Sequence, residues 1–160
     1  MSTSQIVTKA ELLKHWQGHR ALTRRVIEAF PEKELFEFSV ADMRPFAALA
    51  KELLSIAVPG LSGIVNRTEE GYEENGTNQS ALTTKEALLR QWDADTPRID
   101  ELFNQIPEGD FHETFNLFGQ FNFPIIENIF YFIDNEIHHR GQGYVYLRAL
   151  GIQPPFFWER

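Results

Sequence analysis

The sequence predicts an all-α fold, an antiparallel four-helix bundle with long connections and a short extended segment before the last helix. Three observations carry this expectation. Apolar residues recur at helical spacing through four long segments, capping residues or prolines open those segments, and prolines or a glycine close them. The 160 residues, 42% of them hydrophobic, suffice for one well-buried core and are too few for two ordinary domains, so residues 1–160 read as one domain.

Thr8-Lys9-Ala10-Glu11 has the form of a capping box, and Leu12, Trp16, His19, Thr23, Val26 and Phe30 follow at helical spacing until Pro31. Arg20, Arg24 and Arg25 read as the solvated side of this first helix. Asp42 is suited to cap a second helix with Pro45 in its first turn and Leu49, Leu53, Ile56 and Ile64 on its buried side, while Pro59-Gly60 predicts a kink. Residues 67–82 are polar and glycine-containing, which predicts a long surface connection. Thr83-Thr84-Lys85-Glu86 reads as a second capping box, and Pro97 predicts a kink or restart before the third helix ends ahead of Pro107. Phe111, Phe115, Leu117, Phe121 and Phe123 partly alternate with polar residues, which predicts an extended, half-buried segment crossing the bundle. Pro124 then opens a helix whose stripe runs through Ile125, Ile129, Phe132, Asn135, His139, Tyr146 and Leu150 to Gly151.

Composition narrows the chemistry. The absence of cysteine excludes disulfides, thiolate metal sites and cysteine nucleophiles, so a metal would be held by His, carboxylate or amide oxygen. A formal charge of −8 without a basic patch disfavours nucleic acid and anionic membrane surfaces as partners. No run of about 18 uncharged apolar residues occurs and the N-terminal residues do not resemble a signal peptide, which gives a cytoplasmic expectation.

The candidate site residues are polar groups on apolar stripes. Asn135 and His139 stand four apart and project from one helical face, whereas His138 points about 100° away. Glu52 has apolar helical neighbours in Ala48, Leu49, Leu53 and Ile56. It either snorkels to water at the stripe's edge or, if buried, is protonated, paired with a cation or bound to metal. His15 and His19 have chelating spacing, but the signal is weak and a core or cavity-lining His19 beside a half-exposed His15 is the favoured reading. Glu136-x-x-His139 matches the ferritin-like carboxylate-histidine spacing, but such bundles need two of these motifs, and the other helical Glu-His pair, Glu11 and His15, is spaced by four. His112 has no evident partner, and phosphate-loop, nucleophile-elbow and H-E-x-x-H signatures are absent.

Met43-Arg44-Pro45-Phe46, His138-His139-Arg140-Gly141-Gln142, Tyr146-Leu147-Arg148-Ala149-Leu150-Gly151 and the tail Ile152-Gln153-Pro154-Pro155-Phe156-Phe157 together resemble the DinB-like (DinB/YfiT-like) superfamily, a damage-inducible family of four-helix metalloproteins, over nearly the whole chain. The resemblance implies a site of three histidines, and its positions fall here on Glu52, Asn135 and His139, of which only His139 keeps the family residue. It implies a divalent metal such as zinc, nickel or manganese, although two oxygen ligands in place of imidazoles favour harder ions. It further implies a homodimer and a metal-dependent enzyme of thiol-transferase or hydrolase type, acting on an unknown small molecule that could be a thiol. In that reading His139 is the principal ligand, Glu52 a ligand or general base, and Trp16 and His19 line the substrate pocket. The alternative is a metal-free small-molecule-binding or interaction protein that keeps the fold, with Glu52 and His139 paired to each other.

Overall fold

The structure, a computed structural model, describes residues 5–69 and 79–160. Four long helices form the bundle: α1 (Lys9–Ala29), α3 (Phe46–Asn66), α4 (Lys85–Gln105) and α5 (Ile125–Ala149), with a short α2 (Glu32–Glu37) after the first. Between α4 and α5 lies a two-stranded antiparallel hairpin, β1 (Thr114–Leu117) paired with β2 (Phe121–Pro124) in the register Phe115↔Phe123.

The ends of the helices follow from local chemistry. Thr8 accepts from the Glu11 backbone N–H while the Glu11 carboxylate accepts from the Thr8 N–H at 2.8 Å, the reciprocal box expected for α1. Asp42 is not the cap of α3. Proline disfavours helical geometry in the residue before it, so the helix begins after Pro45, whose carbonyl accepts from Ala48 and Leu49. The second box also shifts by one residue: Thr84 caps α4 and accepts from Ala87, which has no carboxylate to return the bond. Pro59 and Pro97 sit inside continuous helices, so α4 does not restart. Gly60 has its own reason, since a Cβ there would lie 2.5 Å from Phe132 Cζ. Of the predicted connection 67–82, residues 70–78 lie outside the described residues; Arg67 ends α3 in a left-handed conformation and Gln79–Ala81 form a short 3-10 turn.

The extended segment is a hairpin rather than one crossing strand. Phe115 and Leu117 turn inward while Phe121 and Phe123 stay exposed, and the Asn128 amide of α5 bonds to the carbonyls of Phe115 and Phe123 at 3.3 Å each.

Cross-helix contacts fix the directions. Lys9 reaches Asn104 and Arg24 reaches Asp93, so α1 and α4 are antiparallel. Arg44 meets Tyr146 and Gly60 meets Phe132, so α3 and α5 are antiparallel too. Trp16 packs on Phe132 and Thr23 on Glu136, so α1 and α5 run the same way, and α3 and α4 must as well. Parallel neighbours require a connection that returns along the bundle, which accounts for the long segment between α3 and α4.

Burial divides the interior into three layers. One apolar cluster gathers Leu12, Trp16, Leu61, Ile99, Phe103 and Phe132; the other gathers Val26, Phe30, Phe46, Leu54, Trp92 and Tyr146. Between them the buried polar residues His19, Arg20, Thr23, Ser55, Asp95, Glu136, His139 and Arg140 form a belt across the four helices. Arg20 is only 1% exposed, which corrects its reading as part of a solvated face. Its guanidinium stacks on the Trp92 ring at 3.8 Å, so its flat face is apolar contact while its edges remain polar. α3 is long and apolar enough to cross a membrane by length and composition, and here two thirds of that stretch is buried inside the bundle.

Candidate functional site

Glu52 on α3 and His139 on α5 meet in the belt, 87 residues apart in sequence. His139 Nε2 donates to Glu52 Oε1 at 3.0 Å, and Asn135 Nδ2 approaches the same oxygen at 3.4 Å. The three residues singled out by spacing therefore converge on one carboxylate. The other oxygen, Oε2, accepts from Arg44 at 2.6 Å, a partner the sequence did not reveal because it lies eight residues before Glu52 and outside the helix.

The two motif segments position these groups together. Gln142 Nε2 points to Met43 Sδ at 3.4 Å, and the Tyr146 hydroxyl donates to the Arg44 carbonyl at 2.8 Å. Phe46 packs where Gly143 has no side chain: a Cβ there would come within 2.5 Å of the Phe46 ring. The chain leading into α3 is thus fastened to α5 at three points, and Arg44 is held over Glu52.

The protonation of His139 follows from its partners. Ionised Glu52 can only accept, so Nε2 carries a hydrogen, and Nδ1 lies 2.7 Å from Gln142 Oε1, which also only accepts. With Gln142 so oriented both nitrogens donate, an arrangement that favours the imidazolium form. Its bond to Glu52 raises the His139 pKa despite burial, while the same bond, joined by Arg44, holds the Glu52 pKa down at about 2. A carboxylate so acidic is a poor general base at neutral pH.

A divalent ion needs neutral imidazole and free oxygen lone pairs. In this arrangement His139 presents hydrogens, Asn135 turns its amide nitrogen inward, and Arg44 and His139 occupy the two Glu52 oxygens. Arg44, His139 and Glu52 also carry a net positive charge, which repels a cation. The donor set as arranged does not fit a divalent metal, and among the described residues no three His, Cys, Asp or Glu side chains gather at one point.

Trp16 and His19 lie elsewhere. Trp16 is sealed in the core against Phe103 and Phe132, so it lines no open pocket. Its indole N–H helps hold the charge of Glu136 without reaching hydrogen-bond geometry. His19 faces the opposite side of α5 from His139: its Nδ1 accepts from Arg140 Nη2 at 2.9 Å, and its Nε2 lies 3.0 Å from Arg160 Nη1 and 3.2 Å from His15 Nε2. Burial first, then Arg140, His15 and Arg160 in that order, lower the His19 pKa to about 4. His138 and His112 are exposed, as is His15.

Sequence reasoning missed a second polar cluster between α1 and α5. Glu136 is fully enclosed, accepts from the Thr23 hydroxyl at 2.6 Å, and has its pKa raised by burial against the opposing pull of Arg20 and Arg140. Arg140 donates to the His19 carbonyl and to Thr23 Oγ1, both at 3.2 Å. The Nε and Nη1 of Arg20 are buried without a hydrogen-bond partner. The available signal was Glu136 itself, one turn from His139 and Arg140 and therefore on a buried face.

Similarity to known proteins agrees with this architecture. No curated protein matches the chain in sequence. A crystal structure of a DinB-like protein from Bacillus cereus ATCC 10987 superposes with a TM-score of 0.72 at 17% identity, covering 92% of this chain and 95% of that one, which establishes a shared fold. The DinB family description matches residues 1–159, from the first helix through the aromatic tail, and on that match the chain belongs to the DinB family.

Proposed function

We propose that this DinB-family protein is a metal-independent small-molecule-binding protein in which an internal ion pair fills the position of the metal centre implied by the family resemblance. The observation that carries this reading is the double engagement of Glu52, with Arg44 at 2.6 Å and His139 at 3.0 Å. Arg44 supplies a fixed positive charge where the resemblance implies a metal. The Glu52 side chain is 20% exposed and that of Arg44 53% exposed, so water and small polar molecules reach the pair from the Arg44 side.

The direct test is elemental analysis of tag-free protein prepared without chelator, followed by calorimetry with zinc, nickel and manganese. The expected result is no near-stoichiometric metal and no saturable heat. Glu52→His together with Asn135→His should then create zinc or nickel binding, because it removes the acceptor that holds His139 protonated and supplies three imidazoles.

A second reading, a metal-dependent thiol transferase or hydrolase, is favoured by the convergence of Glu52, Asn135 and His139 within 3.4 Å. Near-stoichiometric metal that disappears in His139→Ala would establish this reading over the first. A homodimer belongs to the same proposal. The exposed rings of Phe156, Phe157 and Trp158 and the exposed Phe130, Ile137 and Val145 of α5 supply apolar surface for it, and sedimentation equilibrium decides it.

A further inference from the structure

Beyond Gly151 the tail folds back toward α1. Arg25 donates to the Glu159 carbonyl and also approaches its carboxylate, Arg160 Nη1 stands 3.0 Å from His19 Nε2, and a Cβ on Gly18 would touch Arg160. The tail is thus fastened at α1 while its aromatic residues arch beside α5. Beneath this arch lies a cleft of about 310 Å³, large enough for a one-ring molecule. It lies on the side of α5 away from Glu52 and His139.

Three properties define what the cleft accepts. Its walls include Phe156, Phe157 and Trp158, with the Phe156 and Trp158 rings stacked at 4.8 Å and 13° from parallel. Arg140 and Arg148 also line it, and among the described residues neither has a carboxylate within 4 Å, although the chain carries a net charge of −8. The Tyr144 hydroxyl lines it as well, enclosed and without a hydrogen-bond partner. Arg140 itself is 95% enclosed, being 5% exposed, so its charge is only weakly screened by water.

We infer that this cleft is a binding site for a small aromatic carboxylate. The ring packs against the tail aromatics, and the carboxylate accepts from the Tyr144 hydroxyl and the Arg148 guanidinium, with the buried charge of Arg140 behind them. The site is independent of the Arg44–Glu52–His139 cluster, because the α5 residues that build it stand about 100–180° around the helix from His139.

Titration with phenylacetate, and with its neutral isostere phenylacetamide, tests the inference by calorimetry and by tryptophan emission. Trp16 and Trp92 are buried while Trp158 is 61% exposed, so a change in the water-exposed component of the emission reports the tail. Phenylacetate should bind saturably and the amide about tenfold more weakly, as loss of a charge-assisted contact predicts. Arg148→Gln should weaken phenylacetate by about fivefold and Tyr144→Phe by a similar factor. Lys33→Gln, which removes one positive charge from an exposed surface pair elsewhere, should leave it unchanged. Trp158→Phe should abolish the emission change while heat of binding persists. Equal affinity for acid and amide, insensitivity to Arg148→Gln, or no binding up to about 10 mM would overturn the inference.

Discussion

His139 and Arg140 are consecutive on α5, yet they serve polar clusters of opposite character. On the α3 side, Glu52 takes donors on both oxygens and His139 has an acceptor at each nitrogen, with Arg44 reaching to solvent. On the α1 side, Glu136, Arg20 and Arg140 are enclosed and Arg20 retains two unpartnered nitrogens. The comparison teaches that burial and satisfaction need not go together. The more accessible pair is complete, whereas in the deeply buried cluster Glu136 is the carboxylate shared by two guanidinium groups, with Asp95 and Asp93 acting on Arg20 alone.

The largest effect should come from removing that carboxylate. Glu136→Ala leaves Arg140 buried without a compensating carboxylate and Arg20 with only Asp95 and Asp93, and should cost about 3–5 kcal/mol in urea unfolding. A loss below about 1 kcal/mol, the range of an exposed pair, would erase the distinction between the two sides. Glu52→Gln should cost less, about 1.5–3 kcal/mol, the range for a hydrogen bond to a charged group, because the freed Arg44 can turn to water.

A smaller effect separates the sides by sign. The folded His139 pKa is raised, so its stabilisation is complete below the ordinary value near 6.5 and is lost as pH rises through the folded value. The folded His19 pKa is lowered to about 4, so its contribution is present above about 6.5 and is lost as pH falls from there toward 4. Glu52, lowered to about 2, adds a loss as pH falls from about 4.5 toward 2. Proton NMR should find His139 titrating above 6.5 and His19 far below it. In Glu52→Gln the His139 midpoint should fall while that of His19 stays; movement of both would show that the sides are coupled.

Much of this architecture was legible in the chain. The Thr8–Glu11 box and the four apolar stripes mark the helices because capping and helical periodicity are local. The meeting of Glu52 with Asn135 and His139 was also legible, since polar residues on facing apolar stripes must find partners. Arg44 was hidden because its bond spans a helix start, and Asp42 looked a better cap than a proline with no side-chain acceptor. Arg20 was misread for a different reason. Sequence patterning counts an arginine as polar, whereas here its planar face covers the Trp92 ring and behaves as part of the core. The internal shift of the α4 cap to Thr84 lies within the one-residue ambiguity that adjacent threonines create.

The position of α5 in the chain has a consequence for synthesis. It supplies Glu136 to Thr23 of α1 and His139 to Glu52 of α3, yet of the described helices it leaves the ribosome last. Until then both apolar layers lack their α5 side chains, among them Phe132 and Tyr146, and the polar seam between them is incomplete. Closure of the bundle must therefore await α5 and occur as one late event, during which the emerging chain exposes the surface that chaperones hold.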